Sequence, residues 1–223
     1  MIEILYEDKD IIVCVKPIGI LSQPGMEEGE DMITLLTSHL EENKEKPYIG
    51  LVHRLDRNVG GVMVFSKKQA VTSKLSQAIQ ERSNFTKEYM AVVHNKPEEP
   101  AGIYKDLLFK DSAKNKSFVV KRVRKGVKEA SLEYTVLNSI NGEKGELTLV
   151  RIKLHTGRTH QIRVQFSSRK MPLLGDGKYG SKDNRCEIAL WSYRLAFRHP
   201  MLNKEIDFNK MPPSIYPWNL FQN

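Results

Sequence analysis

A single aspartate between two arginines is the first residue whose surroundings suggest chemistry. Asp56 stands between Arg54 and Arg57, and Gly60 and Gly61 follow shortly after. Neighbouring cations favour the ionised form of a carboxyl group, so Asp56 can act as a nucleophile or as an electrostatic stabiliser. An aspartate close to asparagine and glycine is also typical of a turn in which the side chain bonds to nearby backbone. From its immediate neighbours alone, the turn is the simpler interpretation.

Basic and titratable side chains crowd a second segment, residues 156–163. It contains Arg158, His160 and Arg163 after a threonine and a glycine. A glycine turn that leads into a helix directs backbone N–H groups toward a point where a phosphate or a carboxylate can bind. Arg163 is placed to reach a buried acid from a packed element. A surface helix with a basic face explains the same residues equally well, and both interpretations stay open at this point.

A third segment, residues 175–180, is a loop in which Lys178 stands among three glycines. It resembles a phosphate cradle, but it lacks the strand and the Gly-Lys-Ser/Thr ending of a P-loop, so nucleotide hydrolysis is not predicted. The histidines do not recur at zinc-ligand spacings, and we expect no catalytic metal. Cys14 and Cys186 lack the spacing of a disulfide framework or a paired metal site, which is typical of a reducing compartment.

Hydrophobic patterns predict the elements that must position these side chains. Short apolar runs predict strands, with turn residues between them; they lie at 11–15, 62–65, 89–93, 131–137, 147–154 and 189–197. We expect one helix capped by Asp31, a second that contains Val71 and Leu75, and a short third one from Thr159. Asn141 and Gly142 predict a hairpin turn.

Strands in runs, with few helices between them, favour an α+β fold with a mostly antiparallel mixed sheet and flanking helices. No internal repeat or low-complexity tract interrupts the 223 residues. We therefore predict one compact domain over residues 1–223, with two lobes around a central cleft.

The composition is that of a globular protein, with 40% hydrophobic and 28% charged residues. No apolar stretch is long enough to span a membrane and the N-terminus lacks a basic signal region, so we expect a cytoplasmic protein. The net charge of +8 favours encounter with polyanions. Between Lys105 and Lys128 there are nine Lys or Arg residues and two acids. This basic segment is either a solvated hairpin or a surface that follows RNA phosphates.

Six segments, in the same order and at compatible distances, give the chain a strong resemblance to the RluA family of RNA pseudouridine synthases, the ribosomal-large-subunit and tRNA type. The resemblance covers nearly the whole chain. The matching segments are Lys16-Pro17-Ile18-Gly19, His53-Arg54-Leu55-Asp56, Lys87-Glu88-Tyr89-Met90-Ala91, residues 157–163, residues 175–180 and Leu195-Ala196-Phe197-Arg198-His199-Pro200.

The resemblance implies an isomerase that needs no cofactor and converts uridines of ribosomal RNA or tRNA to pseudouridine. The target base would leave its stack to reach a buried carboxylate. It implies that Asp56 acts at the ribose, that Arg163 pairs with Asp56, and that Tyr89 stacks on the uracil and helps to remove the C5 proton. Arg54 would insert where the flipped base was. Arg158 and Lys178 are predicted phosphate contacts, and we expect a monomer.

Two departures from the family pattern concern how RNA is positioned. Val59-Gly60-Gly61 stands where the family usually has Thr-Ser-Gly, and Gln165 where it often has histidine. The pattern begins close to Met1, which leads us to expect no S4-type RNA-binding domain. A catalytically inactive RNA-binding protein of the same fold is the alternative. A glycosidase or nuclease would usually require a second carboxylate or metal ligands among the matched segments.

Overall fold

The structure is a computed structural model that describes residues 2–25, 29–81, 84–143 and 145–222. Its strands and helices follow one another as β1 (Glu3–Glu7), β2 (Ile11–Lys16), α1 (Met32–Glu42), β3 (Gly50–Leu51), β4 (Gly60–Ser66), α2 (Gln69–Glu81), β5 (Phe85–His94), β6 (Ala101–Asp111), β7 (Lys116–Val120), β8 (Val127–Gly142), β9 (Gly145–Leu154), α3 (Gln161–Ser167), β10 (Leu190–Arg198) and β11 (Glu205–Asn209). The many strands and few helices confirm the predicted α+β class.

The chain folds into two compact units. The first comprises Met1–Lys87 and Ser192–Met211, and the second Glu88–Trp191 and Pro212–Asn223. None of the described helices is long and apolar enough to cross a membrane.

The sheet of the first unit has the order β1-β2-β4-β10, with β3 paired to β4 and β11 to β10. β2 and β4 pair antiparallel and are buried along their whole length, which explains their unbroken apolar runs. Val71 and Leu75 of α2 pack into the core formed by these strands. The predicted cap of α1 is confirmed, because Asp31 accepts hydrogen bonds from the backbone N–H groups of Ile33 and Thr34.

The sheet of the second unit has the order β5-β9-β8-β6-β7, and neighbouring strands in it run antiparallel. α3 lies against one face. Phe166 of α3 contacts Tyr104 and Tyr134 edge-on, with ring centroids 5.3 and 6.0 Å apart. Val164 joins a cluster with Leu108 and other buried residues. The sheet therefore supports the helix that carries Arg163.

Two boundaries differ from the sequence prediction. The hairpin of β8 and β9 is present, but Gly142 pairs with Gly145, so Asn141 and Gly142 end a strand and the connection follows them. Gly145 has the positive φ, 109°. α3 begins at Gln161 rather than at Thr159, because His160 adopts a left-handed φ of 51°. The strands β1, β3 and β11 were not predicted, and β6 and β7 were foreseen only in the interpretation of the basic segment as a solvated hairpin.

Candidate active site

Asp56 lies on the connection between β3 and β4, and the residues on either side of it are held by hydrogen bonds. The hydroxyl of Ser22 donates to the carbonyl oxygen of Leu55 at 2.8 Å and accepts from the Leu55 N–H at 3.0 Å. The N–H of Val59 donates to the carbonyl oxygen of Asp56 at 3.0 Å. The Asp56 side chain is half-buried, not fully buried as expected. Its backbone is thus fixed while its side chain stays partly accessible.

Lys16 is a fully buried cation at the end of β2. Its Nζ donates to the carbonyl oxygens of Pro17, Ile20 and Arg57 at 2.8, 2.6 and 3.0 Å. Burial lowers the pKa of Lys16 to about 8, and the negative charge of Asp56 opposes this shift. Three N–H bonds require the ammonium form, since a neutral amine has only two N–H groups. Lys16 therefore anchors the residue after Asp56 and supplies a positive charge to its surroundings.

Arg57 contributes a second anchor to the same loop. Its Nε donates to the carbonyl oxygen of Gly19 at 3.0 Å, and the Gly19 N–H donates to the Arg57 carbonyl oxygen at 2.9 Å. Gly19 has a φ of 89°, a value that glycine adopts without strain. The segment after β2 is thus bonded to the loop that carries Asp56.

His53 is buried below this loop. Its Nε2 accepts a hydrogen bond from the Val64 N–H at 3.2 Å, so the ring proton of the neutral form is on Nδ1. Burial, and then the charge of Lys87, lower the pKa of His53 to about 3. His53 is therefore neutral near pH 7 and holds the loop to β4.

Gly61 is the residue that the triplet Val59-Gly60-Gly61 shares with the usual Thr-Ser-Gly of the family. A Cβ on Gly61 would lie 2.3 Å from the carbonyl oxygen of Ser192, and its φ is 119°. The Ser192 hydroxyl also donates to the carbonyl oxygen of Val62 at 2.9 Å. This close approach of β4 and β10 requires glycine at the final position of the triplet, and this chain retains it.

In the second unit, Arg163 forms a two-pronged ion pair with Asp176. Nε of Arg163 lies 2.6 Å from Oδ2 of Asp176, and Nη2 lies 2.8 Å from Oδ1. Both side chains are almost completely buried. Two parallel charge-assisted bonds fix the plane of a guanidinium group. Asp176 therefore sets the orientation of Arg163.

Tyr179 packs beside this pair. Its ring centroid lies 5.1 Å from the guanidinium carbon of Arg163. The Tyr179 oxygen accepts from the Ser117 N–H at 2.8 Å and lies 3.0 Å from Nδ1 of His160. Burial raises the pKa of Tyr179. The glycine-rich loop at residues 175–180 thus holds Arg163 through its Asp and Tyr side chains.

Tyr89 is buried on β5 and pairs in register with Ile152 of β9, which in turn pairs with Tyr134 of β8. Residues opposite one another in antiparallel strands point to the same face. Since Tyr134 contacts α3 through Phe166, Tyr89 is on the sheet face that carries Arg163.

The three predicted RNA contacts have different surroundings. Arg54 is exposed in the first unit. Arg158 is half-buried, and its Nε donates to the carbonyl oxygen of Glu129 at 2.9 Å. Lys178 is exposed, and its Nζ lies 3.3 Å from the carbonyl oxygen of Asn115. Their contacts with RNA stay predictions.

Sequence reasoning missed four residues that support the site: Lys16, Ser22, Asp176 and Tyr179. A lysine at the end of an unbroken apolar strand could have indicated a supporting residue. A charge buried in an apolar environment needs hydrogen-bond partners, so such a lysine is expected to bind nearby polar groups. Asp176 and Tyr179 stood in a segment that we interpreted as a phosphate cradle. Ser22 had no signal in the sequence.

One cluster within the described part of the chain has metal-ligating side chains: Asp8, Asp10 and His199. Nδ1 of His199 accepts from the N–H groups of Met201 and Leu202, at 3.2 and 3.0 Å. The neutral ring therefore carries its proton on Nε2, 3.0 Å from Oδ2 of Asp8, and offers no lone pair there. A metal-bound histidine usually donates its other N–H to an acceptor. The cluster is better explained as a histidine–carboxylate contact.

Comparisons with known proteins identify the family of the chain. A family model described as RNA pseudouridylate synthase matches residues 10–168. A protein of Aquifex aeolicus named as an uncharacterized RNA pseudouridine synthase is 36% identical, over 97% of this chain and 72% of its own length. Ribosomal large subunit pseudouridine synthase D of Borreliella burgdorferi is 34% identical, over 87% of this chain and 60% of its own length.

Among solved structures, human RNA pseudouridylate synthase domain containing 4 has the same fold. It has a TM-score of 0.77 at 24% identity, with 98% of this chain and 91% of that chain covered. The predicted resemblance is confirmed by the family model and by the relatives above 30% identity. The chain belongs to the RNA pseudouridylate synthase family.

Proposed function

We propose that this protein converts uridine to pseudouridine in RNA, with Asp56 as its catalytic carboxylate. The observation that carries the proposal is the loop around Asp56, whose flanking residues are bonded to Ser22 and Lys16 while the carboxylate stays partly accessible. A fixed backbone reduces the reorganisation that a reacting group undergoes when substrate binds.

The reaction breaks the bond between N1 of uracil and C1′ of ribose, turns the base and joins C5 to C1′; the C5 proton leaves and N1 gains one. In the proposed mechanism, the flipped uridine presents its ribose to Asp56. Asp56 acts on the ribose either as a nucleophile or as a base that removes a proton. Tyr89 stacks on the uracil and assists the removal of the C5 proton. The proposed reaction involves no change of oxidation state and requires no cofactor.

Arg163 is proposed to orient the Asp56 carboxylate and to keep it ionised, as the family resemblance implies. The support from the structure is that Asp176 fixes the guanidinium plane of Arg163. Arg54 is proposed to fill the space left by the flipped base, and Arg158 and Lys178 to bind phosphates. We propose that both units form the single catalytic domain predicted over residues 1–223.

The RNA substrate is proposed to be ribosomal RNA or tRNA. The Borreliella burgdorferi relative is named for the ribosomal large subunit, and the net charge of +8 favours a polyanion. The RNA is read by a monomer in the cytoplasm, without metal or membrane.

The proposal is tested by deletion of the gene and by mapping pseudouridines across tRNA and ribosomal RNA. We expect at least one site to disappear, to return with wild-type protein and to stay absent with Asp56→Asn. Asp207→Asn is the matched control, because Asp207 forms an ion pair with Arg194 at a partly exposed position, and it should restore the site. If every pseudouridine persists in the deletion strain, the substrate class is wrong. If Asp56→Asn restores the lost site, the catalytic assignment is wrong and an inactive RNA-binding role gains support.

A further inference from the structure

The second unit presents a partly exposed apolar surface on the sheet face opposite α3. On β6, Tyr104 and Leu108 point toward α3. Because side chains alternate along a strand, Leu107 and Phe109 point to the other face. They pair in register with Val120 and Phe118 of β7, so all four side chains share that face.

We call this surface the hairpin platform and define it as Leu107, Phe109, Phe118, Val120 and Val127. Val127 of β8 pairs with Phe109. Phe118 is 37% exposed, and the other members are half-buried. An accessible aromatic ring with apolar neighbours gives a flat surface on which another ring can stack.

Cations surround the hairpin platform. Five exposed Lys or Arg side chains belong to the turns at its edge, namely Lys114, Lys121, Arg122, Arg124 and Lys125, whereas Lys110 and Lys128 are on the α3 face. Of the two acids in the basic segment, Asp106 lies on the α3 face and pairs with Arg169 at 2.9 Å. Two acids share the platform face: Asp111 at the end of β6, and Glu129 of β8, which pairs with Leu107. Positive charge therefore predominates at its outer edge.

Arg124 and the half-buried Lys116 contact the aromatic rings of the platform. The guanidinium carbon of Arg124 lies 4.7 Å from the ring centroid of Phe109. Nζ of Lys116 lies 5.8 Å from the ring centroid of Phe118. Aromatic rings beside Arg and Lys are the combination that holds unpaired nucleotides, with bases on rings and phosphates on cations.

We propose that the hairpin platform binds a single-stranded segment of the substrate RNA, with one base stacked on Phe118 and phosphates on Arg122, Arg124 and Lys125. The proposal rests on the proposed function for the identity of the polymer. The positive edge and the cation–ring contacts favour RNA over a protein partner, for which an apolar surface alone would suffice. The platform would bind nucleotides of the substrate RNA other than the flipped uridine.

The test measures binding of the full chain to a fluorescent ten-nucleotide oligouridine and to a ten-base-pair RNA duplex. Phe118→Ala should weaken oligouridine binding about tenfold, and Phe118→Leu nearly as much, since an aliphatic side chain fills space but does not stack. Duplex binding should change less than about twofold, because its bases are already stacked. Lys46→Gln, an exposed change in the first unit, is the control and should leave both affinities unchanged. Circular dichroism and thermal unfolding verify that each variant folds.

Oligouridine binding by Phe118→Leu as tight as by the wild type would overturn the stacking proposal, because an apolar side chain without a ring would then suffice. Unchanged oligouridine binding by Phe118→Ala would overturn it as well. An equal loss for duplex and single strand would contradict base stacking. Binding is measured without catalysis, so absence of pseudouridine formation would contradict the proposed function and leave the platform result standing.

Discussion

A neutral histidine beneath the catalytic loop makes the stability of the protein depend on pH. His53 accepts a hydrogen bond from the Val64 N–H at a buried position, and burial, followed by the charge of Lys87, lowers its pKa to about 3. In the unfolded chain its pKa is near 6.5. Between these two values the unfolded state binds a proton that the folded state does not. The contribution of His53 to stability is therefore complete above pH 6.5 and is lost as the pH falls toward 3.

The expected size of this effect can be measured with His53→Gln, which keeps a hydrogen-bond acceptor but does not titrate. Between pH 6.5 and pH 5 the free energy of unfolding of the wild type should fall by about 1.7 kcal/mol more than that of the variant. Urea unfolding at several pH values measures the difference. Parallel pH profiles for the two proteins would show that His53 is not the group responsible.

Lys16 is the residue whose loss should most disturb the loop without removing a reacting group. Lys16→Met keeps the length of the side chain but leaves the carbonyl oxygens of Pro17, Ile20 and Arg57 without their donor. A buried group left unsatisfied costs about 1–3 kcal/mol. We expect the free energy of unfolding to fall by at least about 3 kcal/mol.

The catalytic consequence of Lys16→Met should be a lower kcat, because the residue after Asp56 loses its anchor. Lys46→Met, at an exposed position, is the matched control and should behave as the wild type. The measurement is pseudouridine formation at saturating RNA and at a temperature where the variant is folded. A normal kcat in a folded Lys16→Met protein would contradict the anchoring role.

At the scale of elements, α3 and the loop at residues 175–180 act together through three side chains. Asp176→Asn removes the charge that pairs with the buried Arg163, and loss of one partner of such a pair costs about 3–5 kcal/mol. We expect this variant to lose most of its activity, because the guanidinium plane is no longer fixed. The measurement is the rate of pseudouridine formation, with thermal unfolding as the check on stability.

Tyr179→Phe is the companion variant for this pair of elements. It removes the acceptor of the Ser117 N–H but keeps the ring beside Arg163. A loss of about 1–3 kcal/mol in stability is expected, with nearly normal activity in the folded protein. Equal losses of activity in Tyr179→Phe and Asp176→Asn would indicate that the loop only stabilises the fold.

Elements buried on both faces were the ones that the sequence predicted well. β2 and β4 are unbroken apolar runs, and α1 has its cap and its apolar face. β1 and β11 were missed because edge strands pair on one side only, and their half-buried side chains give a weak pattern. The register of β8 and β9, which depends on pairing along two long strands, moved the turn beyond Gly142.

The candidate site was predicted unevenly for a similar reason. Asp56 and Tyr89 were identified only through the family's motifs, since a turn explained Asp56 locally and Tyr89 stood in a run that predicts only a strand. The pairing of Arg163 with Asp176 joins residues 13 positions apart and was not foreseen. Hydrogen bonds such as that of Ser22 to Leu55, 33 positions away, depend on tertiary structure that no local pattern encodes.

At the scale of the whole molecule, net charge and local charge predict different responses to salt. If the net charge of +8 alone attracted RNA, any two lysines would be equivalent. If cations of the hairpin contact phosphates, each contact releases counterions, and the slope of log affinity against log salt changes by about 0.7 per contact for a single strand. A comparison at equal net charge separates these two cases.

Two double variants make that comparison. Arg122→Gln with Lys125→Gln and Lys9→Gln with Lys46→Gln each lower the net charge by two, from +8 to +6, and all four side chains are exposed. We expect the hairpin variant to reduce the steepness of the salt dependence of oligouridine binding by about 1.4, and the other variant to leave it unchanged. Equal slopes in the two variants would mean that RNA responds to the overall charge of the protein and not to the hairpin.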